Sequence, residues 1–392
     1  MRRTIQPFVR AMQHKPLVLF LSCALVFLWL HEFFPPATPV LAAGDQAIFL
    51  QDAWRMLQGQ VLYRDFFEFT TPGTPAIYFG LFRLFAPRAW IPDAMIVLLG
   101  LGLSWLGVII SRNLIIGPSA FLPSILFLLI PYRSVLDATH HWYSMLFEMA
   151  ALAVLISSRT NMRSAVAGTL CGVAAFFTQS QGLLTVLGVG LFLLWEQHHK
   201  RESATWLLRR EGALLATFSI AVAALNAYFV SKAGLGRFLY CTVVFPFKYY
   251  PSQPHNSWRA PLMELPHFNS WLSLPGTVAR LFLIAALPAI YLLFFFWLRR
   301  RTEGPSSSSL VRDRLMLVGI VGVALFLGVA PSPGFRRLAS VALPALILLA
   351  WFVGHHGCRR TTLKLIWVAA TALAVIEPTY RQLHWRAGGG RG

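Results

Sequence analysis

The chain has 392 residues, of which 56% are hydrophobic and only 12% charged. A soluble domain carries roughly 25% charged residues, so composition alone excludes an ordinary soluble protein. The formal charge of +19 does not point to nucleic acid. Lys and Arg sit in short connections between long apolar blocks, the pattern that anionic headgroups and the positive-inside rule produce.

A hydrocarbon core about 30 Å thick takes roughly 20 mostly apolar residues per helix, and the chain supplies such blocks repeatedly. The first runs from Leu17 to Phe34, after the basic stretch MRRTIQPFVRAMQHK. A basic flank, an apolar run and Val40-Leu41-Ala42 have the form of a secretory signal. The length of the run and the spans that follow favour an uncleaved first helix. Further spans are predicted over 91–111, 119–135, 141–157, 164–179, 182–196, 212–231, 277–298, 314–330, 338–354 and 363–378. The expected fold is an all-α polytopic membrane protein, one transmembrane domain over 1–392 with about eleven helices.

The connections alternate in charge. One side holds Arg2, Arg3, Arg10 and Lys15; Arg112; Arg159 and Arg163; Lys200, Arg201, Arg209 and Arg210; Arg299, Arg300, Arg301 and Arg312; and Arg359 and Arg360. That side, with the N-terminus, is expected to be cytoplasmic in a multi-pass protein of a bacterial inner membrane. The outer side receives 35–90, 131–141, 179–181, 232–276, 331–337 and the C-terminal tail, and only 35–90 and 232–276 are long enough to fold. Cys23, Cys171, Cys241 and Cys358 show no paired spacing, so no structural disulfide is expected.

The first outer loop reads AAGDQAIFLQDAWRMLQGQVLYRDFFEFTTPGTPAIYFGLFRLFAP. From Asp45 to Gln58 the spacing predicts an amphipathic helix, with Ile48, Phe49, Ala53 and Leu57 near one face and Gln51, Asp52 and Arg55 elsewhere. Gly59 is placed to end it. A second segment, Pro75 to Ala86, is apolar and carries Arg83. Both are too short or too polar to span and are expected along the outer, periplasmic membrane surface. Asp45 can cap the helix, worth about 1 kcal/mol, or serve as a reactive carboxylate, or both. Asp65 can pair with Arg64, cap the next turn or act directly as a supporting acid. Glu68 is the best second carboxylate and a candidate metal ligand.

The string G-D-x-x-x-F-x-x-x-A-x-x-x-L-x-G-x-x-L-Y-R-D-F-F-E-x-x-x-P-G, from Gly44 to Gly73, resembles the first outer loop of GT-C glycosyltransferases. Within them it looks most like the bacterial branch related to dolichyl-phosphate-mannose protein mannosyltransferases and aminoarabinose lipid A transferases. The resemblance implies an inverting enzyme that takes a sugar from a polyprenyl-phosphate donor to a hydroxyl on a glycan, lipid or protein. Asp45 matches the family's essential aspartate, the general base toward the acceptor hydroxyl or a metal-assisted equivalent. A divalent metal ion is the only cofactor it suggests. Tyr63, inside the matched string, joins the donor- or acceptor-binding candidates. The chain departs from the family at Gln46, where an acidic residue is usual, and at Thr71-Pro72-Gly73, which replaces Lys-Pro-Pro or His-Pro-Pro.

Other outer residues add to the set. Asp137, His140 and His141 stand at the mouth of a span, as acceptor or donor contacts or as interfacial anchors. Adjacent histidines on a helix point about 100° apart, so only one is expected to face a given site. Glu148, deeper in that span, is expected to face the bundle interior. In 232–276, Tyr249, Tyr250, Trp258 and Trp271 interleave with Lys248, His255, Arg259 and His267. Tyr249 and Trp258 suit stacking on a sugar and Lys248 suits a phosphate; an interfacial belt has the same composition. Arg336 and Arg337 run against the positive-inside bias and call for an anion, either a polyprenyl phosphate or ordinary headgroups. A transporter or lipid-linked sugar flippase would show similar spans, and a noncatalytic scaffold would be indifferent to its carboxylates. Gathering of polar groups in the outer loops, with no internal repeat, disfavours transport.

Overall fold

The computed structural model describes residues 5–33, 44–249, 257–259, 280–300 and 309–355. Among them every regular element is helical, apart from one isolated bridge between Leu62 and Phe66. In chain order they are α1 (Ile5–Glu32), α2 (Asp45–Leu57), α3 (Gly73–Phe85) and α4 (Trp90–Arg112). A broken helix follows, made of a 3-10 turn (Gly117–Phe121), α5 (Leu122–Phe127) and a π turn (Leu128–Tyr132). Next come α6 (His140–Ser157), α7 (Asn161–Phe177), α8 (Gln179–Lys200) and α9 (Ala204–Ala233). Then α10 (Leu235–Leu239) leads through a π turn (Tyr240–Val244) into α11 (Phe245–Lys248). The last described elements are α12 (Leu287–Arg300), α13 (Ser309–Val329), α14 (Phe335–Ala339) and α15 (Ala342–His355).

Four described stretches are long and apolar enough to cross a membrane by length and composition: Lys15–Glu32, Trp90–Arg112, Ala204–Ala233 and Phe282–Arg299. They answer the spans expected at 17–34, 91–111, 212–231 and 277–298. Helices α6, α7, α8 and α13 fall where further spans are expected, but Glu148, Ser164, Gln181 and Asp313 are buried in them. The expected span at 119–135 is the broken helix, carrying Pro118, Pro123 and Pro131, each of which removes a backbone donor. Beyond the four strong spans, a count of about eleven therefore relies on shorter or more polar helices. The span expected at 363–378 lies outside the described residues. The fold is that of an all-helical membrane protein.

Small residues let the central helices approach. Gly168 and Gly172 form a G-x-x-x-G stripe on α7, against α9. A Cβ added at Gly168 would lie 2.1 Å from the Leu214 carbonyl oxygen, and one at Gly172 would lie 2.6 Å from Ala221 Cβ. Close backbone packing of this kind substitutes for the hydrophobic drive that lipid does not supply. Helix α7 also packs on α6, and α8 on α13. Side-chain caps start two of these helices: Thr160 Oγ1 accepts from Arg163 N at 3.3 Å and Ser203 Oγ accepts from Trp206 N at 3.2 Å. Along α1 and α9, Leu19, Val26, Ile220 and Leu208 are among the exposed apolar side chains, as lipid-facing surfaces require.

The connection between the broken helix and α6 is anchored by aromatics. Trp142 packs against Tyr132 with ring centroids 4.7 Å apart and against Phe127 at 5.8 Å, and its Nε1 donates to Val135 O at 3.2 Å. Residues 133–141 are thereby held close over the end of α6.

Helix α2 differs in detail from the expected wheel. Its buried residues are Gln46, Phe49, Asp52 and Ala53, whereas Ile48 is 49% exposed. The inward stripe takes in two polar residues because both find buried polar surroundings, described next. Helix α2 packs on α3, which also touches α6 and α7.

Candidate active site

Asp45 is the first residue of α2, and Gly44 before it is the N-cap at φ 78°, with no side-chain cap bond. The capping alternative for Asp45 therefore gives way to a first-turn carboxylate, favourable beside the helix N-terminus but free to act outward. Gly44 is required twice over. Its φ suits glycine, and a Cβ there would meet Arg336 Nη1 at 3.0 Å.

Arg336, on the short helix α14, spans two carboxylates. Its Nε lies 3.3 Å from Asp137 Oδ2 and its Nη1 3.8 Å from Asp45 Oδ2. The contact with Asp137 is ionic and not a directed hydrogen bond, since that oxygen has no hydrogen-bond partner. The other Asp137 oxygen accepts from Thr139 Oγ1 at 3.0 Å. Burial pushes the Asp137 carboxyl up to about 6, while Arg336 pulls in the opposite direction. Arg336 is 42% exposed and Asp45 45% exposed, so both remain open to a ligand.

Both histidines reach this corner, against the expectation that only one would. Asp45, His140 and His141 each offer a ligand atom within 4.8 Å of the others. The two rings lie 3.9 Å apart, with Phe49 packed edge-on to His140 at 5.3 Å. His140 opens α6 directly after the extended Thr139, and there the ring can fold back toward its neighbour. Neither Nδ1 has a hydrogen-bond partner.

The paired arginines are distinguished. Arg337 turns toward Ser332, donating from Nη1 to its carbonyl at 2.9 Å and to its hydroxyl. Arg336 makes the described ion pairs with the carboxylates, and Arg337 also feels the Asp45 charge.

Glu68 stands apart from Asp45. Its Oε1 accepts from Phe69 N at 2.7 Å, Thr70 N at 2.9 Å and Thr70 Oγ1 at 3.1 Å. Its neighbour is Asp52, seven positions after Asp45 and thus about 10 Å farther along α2. Asp52, expected off the apolar face, is 6% exposed. Burial first, and then the Glu68 carboxylate, push Asp52 up to about 8. Burial raises Glu68 as well, opposed by its backbone donors. A folded-state pKa raised above the unfolded value of about 4 gives stability that is complete at low pH. That stability is lost as pH rises toward about 8. The melting temperature should accordingly fall between about pH 4 and about pH 8, and Asp52→Asn should flatten the fall. A wild-type melting curve indifferent to pH across this window would show that the pair does not share a proton.

Tyr63 and Asp65 shape the loop. Tyr63 is fully buried at φ 67°, donates from its hydroxyl to Thr70 O at 2.6 Å, and packs on Phe229 and Phe238. It presents no open face to a sugar. Asp65 pairs with Arg64 at 2.8 Å and accepts from Val61 N at 2.7 Å, and these contacts, Arg64 first, hold it down at about 2.

The Thr71-Pro72-Gly73 departure has a packing reason. Thr71 Oγ1 donates to Ala175 O at 3.0 Å, and a Cβ at Gly73 would lie 2.5 Å from Phe176 O. Gln179 Nε2 donates to Phe69 O at 3.2 Å and Thr242 O at 2.9 Å, tying the first loop to the second at the α7–α8 corner. In the second loop, Phe245 packs on Phe67 at 4.8 Å, and Lys248 lies over the Tyr249 ring at 5.3 Å. Trp258 is 38% exposed, and Tyr250, His255, His267 and Trp271 lie outside the described residues. No described contact joins Lys248, Tyr249 or Trp258 to Asp45. Glu148 is fully buried, as expected, with neither carboxyl oxygen hydrogen-bonded. Cys23, Cys171 and Cys241 are free thiols.

This corner sits on a fold shared with membrane glycosyltransferases of solved structure, the architecture that the first-loop string anticipates. Over 92% of its length the chain superposes on 64% of ArnT from Cupriavidus metallidurans bound to undecaprenyl phosphate, with a TM-score of 0.62 and 18% identity. Over 93% it superposes on 55% of the archaeal oligosaccharyltransferase AglB from Archaeoglobus fulgidus, in complex with an inhibitory peptide and a dolichol-phosphate, with a TM-score of 0.52 and 14% identity. At these identities the likeness is one of fold, and the chain spans less than two thirds of either protein. No protein-family model matches the chain, and a comparison with curated proteins finds no relative.

Proposed function

We propose that this protein is a GT-C-type membrane glycosyltransferase acting on the outer face of the membrane, with its N-terminus cytoplasmic. It would move a sugar, with inversion, from a polyprenyl-phosphate carrier to a hydroxyl of a glycan, lipid or protein. The observation that carries this reading is the half-exposed Asp45 carboxylate 3.8 Å from the half-exposed Arg336 guanidinium. A hydroxyl acceptor needs a base, and a lipid phosphate leaving group needs a cation; the two stand side by side.

In the step itself the acceptor oxygen bonds to the anomeric carbon as the bond from that carbon to the phosphate oxygen breaks. The hydroxyl proton passes to Asp45, and the polyprenyl phosphate leaves with the bonding electron pair. Arg336 neutralises the charge that develops on it, supported by Arg337 next in the chain. Thr71 cannot supply a cation, so the burden of phosphate binding falls on this arginine pair.

Asp45, His140 and His141 also make an oxygen–nitrogen–nitrogen donor set of the kind a divalent transition metal takes, and the bare Nδ1 atoms fit such an ion. When bound it would polarise the donor phosphate. Asp45, His140 and His141 would hold the ion, and Arg336 brings a further positive charge to the same carboxylate, so the corner suits an anionic donor.

The reading is tested in proteoliposomes with a radiolabelled polyprenyl-phosphate sugar and a lipid or glycan acceptor. Label should leave the carrier and appear in a glycosylated product. Arg336→Gln should raise the donor KM roughly tenfold, the worth of one charge-assisted hydrogen bond. Label that crosses the membrane still attached to its carrier, with no product, would establish the flippase instead.

A further inference from the structure

Asp45 and Asp137 are far apart in sequence, and each has a neighbour that takes part in one small junction. Gln46, beside Asp45, accepts a hydrogen bond through Oε1 from Ala138 N at 2.8 Å. Ala138 follows Asp137 directly. The carbonyl of the same residue, Ala138 O, accepts from Tyr78 Oη at 2.8 Å. Ala138 is thus held by its N–H from α2 and by its carbonyl from α3. Ala138 and Tyr78 are fully buried and Gln46 is 3% exposed. Water does not compete for either bond at such burial, and losing a partner there leaves a buried donor or acceptor unsatisfied. Only the oxygen of the Gln46 amide can accept from a peptide N–H, so the side-chain orientation is fixed by chemistry.

We propose that Gln46 and Tyr78 are positioning residues, which set Asp137 and His140 opposite Asp45 by holding Ala138 at both ends. As far as turnover is concerned, this rests on the glycosyl-transfer reading above. Residues adjacent in a chain are 3.8 Å apart at Cα, so a bond from Gln46 to Ala138 leaves Asp45 and Asp137 little freedom to separate. Arg336 can then span both carboxylates, as it does at 3.3 and 3.8 Å. His140, two residues beyond Ala138, is carried to the same place. The residue type at position 46 follows from this role: it must present an acceptor, and an amide does so without adding a buried negative charge beside the half-exposed Asp45 and the buried Asp137.

The test measures hydrogen exchange in the peptide covering residues 133–141 of the full-length protein, together with turnover per folded molecule. Gln46→Leu keeps the apolar bulk and removes the acceptor. It should speed exchange at Ala138 about tenfold and lower kcat by a similar factor at unchanged melting of the rest of the chain. Gln46→Glu, which retains an acceptor oxygen, should keep the protection. Should Gln46→Leu not fold, Tyr78→Phe removes a single hydroxyl and should loosen the same peptide. Unchanged exchange at Ala138 in both Gln46→Leu and Tyr78→Phe would overturn the proposal. So would lost protection with wild-type turnover per folded molecule. A wild-type protein with no transfer activity would defeat the glycosyl-transfer reading alone, because exchange reports the geometry without it.

Discussion

Asp45→Asn is expected to abolish transfer, lowering kcat by roughly a thousandfold, the scale on which a general base contributes. The substitution is close to isosteric, so lost activity cannot be blamed on lost packing. Asp45 accepts no capping bond, is half exposed and has Arg336 as its described ionic neighbour, at 3.8 Å. An exposed pair at that distance adds little to stability. The Gln46–Ala138 bond beside it is untouched. Melting temperature and detergent-solubilised yield should therefore match the wild type while product formation from labelled donor disappears. Full activity in Asp45→Asn would remove Asp45 from the mechanism and leave the corner as an arginine-bridged structural contact.

The strong spans were legible in the sequence because burial in hydrocarbon demands long apolar runs, a pattern that the shorter or more polar helices among the described residues meet only in part. The first-loop string placed Asp45, and the charge bias singled out Arg336 and Arg337. What pattern could not reveal was which of the two arginines turns toward the carboxylates. That depends on Ser332, whose carbonyl and hydroxyl occupy Arg337. Asp52 was misplaced for a related reason. A helical wheel assigns a charged residue to the outside, whereas burial and the Glu68 carboxylate hold Asp52 toward its neutral, protonated form, which the inside tolerates. Tyr63 looked like a ligand contact because it sits inside the matched string; its left-handed backbone and its bond to Thr70 O come from the turn it anchors. Pairings such as Gln46 with Ala138 span too much sequence for local periodicity to report.

Charge bias also hid a feature at the other end of the bundle, and there the largest effect on stability is expected. Helix α6 runs eighteen residues, about 27 Å, from His140 at the Asp45 corner to the turn that carries Arg159. By sequence alone Arg159 is one more basic residue of the cytoplasmic side. It is instead buried, its side chain 6% exposed, with Nη2 2.5 Å from Glu196 Oε1 and 3.6 Å from Asp313 Oδ2. Lys200 Nζ closes the square at 2.6 Å from both Glu196 and Asp313. Two cations and two anions thus join the α6–α7 turn, the end of α8 and the start of α13. Arg159→Met would leave two buried carboxylates, 3% and 2% exposed, with Lys200 as their remaining described ion-pair partner. Breaking such a pair costs about 3–5 kcal/mol, because the surviving charge has lost its water and its partner together. The variant should melt far below the wild type, or fail to accumulate in the membrane. Lys200→Met should cost less, since Lys200 is 34% exposed and water can take part of its place. The double variant Arg159→Met, Glu196→Met should recover much of the loss by removing the stranded anion along with its cation. Turnover per folded molecule should stay near wild type throughout, as the square lies a full helix length from Asp45. An Arg159→Met protein that melts like the wild type would mean that water reaches Glu196 and Asp313 and that the square is not buried in the membrane-embedded protein.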